Sequence, residues 1–158
     1  MSDSDCEPGT TREPEFDRLY RSSRDPMIRL ARLLTGSTAA AEEIVQEALL
    51  RIYRRGQQPD NPEAYLRVTV TNLCKSHLRR LRLERSVVQQ EDLHVLNPEI
   101  DETWEALCNL PFRQRSVIVL RFYEDLSIEE IAHLLGCRIG TVKSRLHRGV
   151  EKLRSELS

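Results

Sequence analysis

LSIEEIAHLLGCRIGTVKSRLHRG, Leu126 to Gly149, decides how the rest of the chain is read. Ser127 followed three residues later by Glu130 is a capping box, in which each side chain satisfies a backbone N–H of the other at a helix start. Ile128, Ile131, Ala132 and Leu135 recur on one side of that helix, and Ala132 is small where a second helix must cross. Gly136 supplies the turn, because a helix ending in a left-handed residue favours glycine. The spacing predicts a further helix from Thr141 to about Leu157, in which Val142, Leu146, Val150 and Leu153 share one arc at about 100° per residue. Ser144, His147 and Arg148 fall opposite, Thr141 lies near them, and Lys143 and Arg145 take the flanks. One face packs while the other is long, polar and cationic, as in a helix that enters a DNA major groove. An ordinary helical hairpin with a solvated basic side has the same outline.

The chain around this stretch has 158 residues, 39% hydrophobic and 31% charged, which suits one soluble domain or two small ones. Only 5% of residues are aromatic and Gly and Pro are scarce, so an all-α fold is expected over a sandwich or barrel. No apolar run approaches the length of a membrane span, and the acidic start MSDSDCEPG lacks the features of a secretory signal. A cytoplasmic, nucleoid-associated protein without membrane insertion is expected. Cys6, Cys74, Cys108 and Cys137 lie far apart, with no paired spacing for zinc, so neither a metal nor another cofactor is expected.

A formal net charge of -1 conceals blocks. Residues 51–85 hold nine bases against three acids, and residues 138–154 hold six bases against one acid. Between them, residues 86–105 hold six acids and no Lys or Arg. Two basic segments parted by an acidic one suggest two surfaces for a polyanion and a connector that avoids it. Solvated helix faces would give the same blocks.

The pattern divides the chain into an acidic disordered tail, 1–14, a first helical domain, 15–85, a linker, 86–98, and a second helical domain, 99–158. The first domain reads as one helix or two over Glu15 to Leu34, divided near Pro26. A second helix follows over Ala39 to Arg55, capped by Ser37 or Thr38, and a third runs from about Pro62 to Arg85 with Asn61 as its cap. The second domain reads as four helices, Glu99 to Asn109, Pro111 to Tyr123, Ser127 to Leu135 and the last one above.

Two helices of the first domain carry further signals. AEEIVQEALLRIYRR, Ala41 to Arg55, buries one stripe and leaves Glu43, Gln46, Glu47 and Leu50 on other faces, which is an amphipathic helix and also a docking surface for a basic partner. In PEAYLRVTVTNLCKSHLRRLRLER, Pro62 to Arg85, Leu66, Val70, Leu73, His77 and Leu81 form an inward arc. Asn72, Lys75, Ser76 and Arg79 lie on the reverse side beside Arg80, with Tyr65 near the helix start. A cationic face with an amide, a hydroxyl and an aromatic suits a single strand with splayed bases.

These segments, with LPFRQRSVIVLRFYED before the opening stretch, resemble a bacterial sigma-70 family factor of the extracytoplasmic-function branch, from Phe16 to Leu157. The resemblance implies a two-domain initiation factor, region 2 followed by region 4, that binds core RNA polymerase and promoter DNA and answers to an anti-sigma factor. It implies that Glu43, Gln46, Glu47 and Leu50 grip the clamp of the largest polymerase subunit, and that the loop Gly56 to Asn61 receives an extruded base of the minus-10 element. Tyr65, Asn72, Lys75, Ser76, Arg79 and Arg80 would hold that strand. Lys143, Ser144, His147 and Arg148 would read the minus-35 duplex, with Thr141, Arg145 and Arg121 on its phosphates.

This chain departs from the family pattern at several positions. Glu43 stands where Asp is common, Leu49 where Phe is usual, Tyr65 where Trp is usual and Ser76 where Asp is frequent, and Thr71 precedes Asn72 where a basic or aliphatic residue often sits; because His147 and Lys143 are at reading positions, promoter sequence does not transfer. Two other readings remain open: a helix-turn-helix regulator that dimerises through its first domain, and a helical enzyme. The sequence shows no nucleophile–base pairing, phosphate loop or metal spacing for the latter.

Overall fold

A computed structural model describes residues 12–55, 58–85 and 102–158. The expected linker and residues 1–11 of the expected disordered tail, with Cys6 and Gly56, lie outside the described residues, whereas residues 12–14 of that tail are helical. Seven α-helices account for nearly all that is described, and no strand occurs among these residues.

The first helix, α1, runs unbroken over Arg12–Thr35 with Pro26 inside it. Sequence left a division open there, because proline removes one backbone donor and crowds the preceding turn. Burial on both sides of Pro26 carries the helix through: Leu19 and Ser23 before it and Met27, Leu30, Ala31 and Leu34 after it are all buried. Gly36 then stops the helix at φ +76°. Ser37 is the cap of α2, Thr38–Arg54, its Oγ accepting from the Ala40 N–H at 3.2 Å. Asn61 caps α3, Pro62–Arg85, accepting from the Ala64 N–H at 3.1 Å. Ala41, Ile44, Val45, Ala48, Leu49 and Ile52 of α2 meet Leu66, Val70 and Cys74 of α3 and the buried stripe of α1 in one core.

The second group contains α4, Glu102–Asn109, α5, Phe112–Ile118, α6, Ile128–Leu135, and α7, Ile139–Leu157. The expected single helix through Tyr123 widens after Ile118 into a π-helical turn, Val119–Tyr123. That turn lets the Leu126 N–H reach back to the Leu120 carbonyl at 3.0 Å, and Asp125 takes a positive φ of 55° to start the descent into α6. Helix α7 begins two residues earlier than the spacing indicated, at Ile139.

The two groups share a core. Leu126, Ile131, Ala132 and Val142 belong to the same buried cluster as Leu30, Leu34 and Leu66. Arg115 of α5 reaches into the joint, where its Nη1 donates to the Leu34 carbonyl at 2.7 Å and its Nη2 to those of Cys108 and Leu110 at 3.1 and 2.9 Å. These carbonyls stand at or just past the C-terminal ends of α1 and α4, where unpaired carbonyls and the helix dipole favour a cation.

Candidate nucleic-acid interface

The helix-turn-helix is built as its residue types require. Ser127 Oγ accepts from the Glu130 N–H at 3.1 Å and Glu130 Oε2 accepts from the Ser127 N–H at 2.8 Å, so both members of the box are made. Gly136 sits at φ +63° and ψ 37° and ends α6. Ile131 and Ala132 of α6 and Val142 of α7 are buried, while Leu146 and Val150 are half-buried. Lys143, Ser144, His147 and Arg148 are exposed on the opposite side of α7, and Thr141 and Arg145 are half-buried at its edge. Among the described contacts, Arg121 lies on the π turn, where its Nη1 donates to the Leu126 carbonyl at 3.1 Å and stands 4.0 Å from the Asp125 carboxylate. It therefore borders the entry to α6 and lies outside the face of α7.

One glycine in this unit has a packing role that spacing did not reveal. Gly149 is buried, and a Cβ there would stand 2.6 Å from Ile118 Cδ1 and 3.3 Å from Gln114 Cβ. Helices α5 and α7 approach closely at this point, which holds α7 with its cationic face outward.

On α3, Asn72, Lys75, Ser76, Arg79 and Arg80 are all exposed, and the helical rise of about 1.5 Å per residue puts them along roughly 12 Å of one surface. His77 turns toward the body and is half-buried. Burial, followed by the Arg80 charge, pulls its pKa below the ordinary imidazole value, while Glu43 and Glu84 pull the other way. Tyr65 differs from its exposed neighbours: its ring is half-buried, and the Arg55 guanidinium lies 4.7 Å from the ring centroid. A base could stack on Tyr65 only beside or in place of that guanidinium, a constraint that sequence periodicity carries no sign of.

An open hollow of about 390 Å³ lies at the same end of the bundle. Gln58, Asp60, Asn61, Pro62 and Glu63 form one wall, and Glu15, Arg18, Leu19 and Ser22 of α1 form the other. The resemblance assigns the loop to an extruded base; the α1 wall has no signal in local spacing, because those residues are some forty positions away in the chain.

On α2, Glu43 and Gln46 are exposed and Glu47 and Leu50 half-exposed along one stripe. Glu47 accepts from Arg51 Nε at 3.1 Å, an exposed i,i+4 pair that the solvent screens. This acid-rich face is separate from both cationic faces, since α2 carries it and α3 and α7 carry those. Among the described residues, no group of three or more His, Cys, Asp or Glu side chains could hold a metal ion, and no helix is long and apolar enough to cross a membrane.

Both parts of the chain are similar to known proteins. Residues 19–84 match sigma-70 region 2 and residues 100–153 match sigma-70, region 4. The RNA polymerase sigma-E factor of Streptomyces coelicolor is 35% identical over 90% of this chain and 86% of its own length. The ECF RNA polymerase sigma factor SigE of Mycolicibacterium smegmatis is 34% identical over 92% of this chain, which spans 62% of that relative. Among solved structures, the sigma factor RpoE in complex with the anti-sigma factor NepR from Bartonella quintana has the same fold, with a TM-score of 0.72, 24% identity, and coverage of 90% of this chain and 96% of that one.

Proposed function

The chain belongs to the extracytoplasmic-function branch of the sigma-70 family, and we propose that it binds core RNA polymerase and directs it to promoters by reading a minus-35 duplex and capturing a minus-10 strand. Residues 15–85 serve as region 2 in this reading and residues 99–158 as region 4. The observation that carries it is the presence, on one small chain, of two cationic helix faces, on α3 and α7, with a separate acid-rich face on α2.

Each face has its own task. Lys143, Ser144, His147 and Arg148 project from α7 toward base edges in the major groove, and Thr141, Arg145 and Arg121 stand at the phosphates beside it. Lys75, Arg79 and Arg80 neutralise phosphates of an unpaired strand, while Asn72, Ser76 and Tyr65 meet its bases. The hollow beside Asn61 gives an extruded base a place outside the stack. Extrusion costs a few kcal/mol, which contacts made only to the open strand offset, so binding selects the melted state. Glu43, Gln46, Glu47 and Leu50 of α2 hold the clamp of the largest polymerase subunit, where their charge steers a basic partner surface.

The chain supplies binding and no covalent chemistry, and it works in the cytoplasm on the nucleoid without a cofactor. The Bartonella neighbour carries an anti-sigma factor, and we extend that class of regulator to this chain. Run-off transcription with sigma-free core polymerase on a fragmented genomic library tests the whole reading. Discrete start sites that require the added protein are expected, and their complete absence would overturn it.

A further inference from the structure

Helix α7 begins at Ile139, so the residue before it, Arg138, is the N-cap, with φ -75° and ψ 150°. Its carbonyl accepts the first intrahelical bond, from the Val142 N–H at 3.1 Å. The side chain does nothing for the helix. It is exposed and makes no capping bond, and no ion pair or hydrogen bond joins its guanidinium to another described residue. By contrast, Ser37, Asn61 and Ser127 each accept from a backbone N–H at the start of α2, α3 and α6.

Arginine suits this position poorly on two counts. A favourable N-cap offers a side-chain oxygen to the unpaired N–H groups of the first turn, and a guanidinium is a donor only. The N-terminal end of a helix also carries partial positive charge, which repels a cation. Folding therefore gives no reason for Arg138. A residue that breaks local rules with no compensating contact inside the molecule points to a ligand outside it, and the ligand that answers a solvated guanidinium is an anion.

The surroundings of Arg138 identify the anion. Gly136 turns the chain at φ +63°, and the Cys137 N–H donates to the Ala132 carbonyl at 3.0 Å, so Arg138 leaves a bonded turn that fixes its direction. Thr141 and Arg145 follow three and seven residues later. At about 100° per residue all three fall on one flank of α7, and the seven-residue step covers roughly 10.5 Å of its axis. Thr141 and Arg145 are the residues set against duplex phosphates above, and Arg138 continues their flank to the helix start. We propose that Arg138 grips a further phosphate of the minus-35 duplex and so fixes how α7 enters the major groove, a positioning role that rests on the function proposed above. The contact itself carries no base information. It sets the register from which the outer residues Lys143, Ser144, His147 and Arg148 read.

The test is fluorescence anisotropy of the full chain on two short duplexes, one carrying a minus-35 element recovered upstream of the run-off start sites and one of random sequence. Arg138→Ala should weaken both several-fold by the same factor, and should lower the slope of log affinity against log salt by about 0.9. Arg138→Lys should keep the affinity, because a phosphate accepts a point charge as well as a fork. Arg138→Ser separates function from fold: serine caps the helix, so the urea midpoint should rise while duplex affinity falls. A structural role for Arg138 would move both downward together and would overturn the proposal. Unchanged affinity and salt slope in Arg138→Ala would do the same, as would a loss confined to the minus-35 duplex, which would make Arg138 a base reader. Equal binding of both duplexes by the wild-type chain counts against the promoter reading proposed above, and the random-sequence duplex then decides Arg138 by itself. Wild-type binding to neither duplex overturns both.

Discussion

Gly149 of α7 lies against Ile118 of α5 so closely that a Cβ at 149 would come within 2.6 Å of Ile118 Cδ1. Helix propensity alone favours replacing a mid-helix glycine, by up to about 1 kcal/mol. Here crowding wins, because Ile118 is buried and Gln114 Cβ closes the other side at 3.3 Å. Gly149→Val should lower stability by about 1–3 kcal/mol, read as a shift in urea midpoint. Ile118→Val removes the clashing methyl, so the double variant should be more stable than the sum of the single effects; strict additivity would show that the helices do not meet there.

The capping box at Ser127 and Glu130 is local and complete, so its loss has a calculable size. Ser127→Ala should cost about 1 kcal/mol, and Glu130→Ala in the same background should cost less than it does alone, since the two bonds are reciprocal. Thermal unfolding by circular dichroism measures both. A neutral Ser127→Ala would mean that α6 starts elsewhere.

These two cases mark what the sequence reveals and what it hides. The box, the Gly136 turn and the two faces of α7 depend on residues within one or two turns of each other, so spacing alone exposes them. The continuity of α1 through Pro26, the crossing at Gly149 and the bonds from Arg115 to α1 depend on which helices become neighbours, and no local pattern encodes that. The same division runs through the site. Exposure of Asn72, Lys75, Ser76, Arg79 and Arg80 followed from helical phase. The Arg55 guanidinium over Tyr65 and the α1 wall of the hollow required the packed bundle.

His77 links stability to pH and to strand binding. Burial and Arg80 hold its folded pKa below the unfolded value of about 6.5. The unfolded chain therefore binds the proton more readily. The resulting stability is fully present above pH 6.5 and is lost as pH falls through the folded pKa. Between about pH 7 and 5, wild-type protein should lose more stability than His77→Gln does. If Arg80 holds a phosphate, a saturating single strand should also raise the His77 pKa, followed by imidazole NMR shifts. An unmoved titration with the strand demonstrably bound would remove Arg80 from the phosphate track.

Arg148 is exposed on the outer face of α7, so its replacement should leave the fold intact. Arg148→Ala should weaken binding of a minus-35 duplex by about 1–3 kcal/mol if the guanidinium reads a base edge. Arg148→Lys separates two roles, since lysine keeps the charge but loses the planar fork. Recovery by lysine in fluorescence anisotropy would assign Arg148 to a phosphate; continued loss with relaxed sequence preference would assign it to a base.

The acid-rich face of α2 makes a prediction that the DNA faces do not share. Gln46 is exposed, and Glu47 spends its charge on the solvent-screened Arg51 pair, so neither holds the core. Gln46→Ala/Glu47→Ala should leave helix content and minus-35 duplex binding unchanged, because α7 is a separate element supported by α5 and α6. It should abolish co-elution with core polymerase, and with it start-site-specific RNA synthesis. Intact co-elution would move the docking surface off α2. Loss of duplex binding as well would reveal a damaged fold, which the circular dichroism spectrum would show independently.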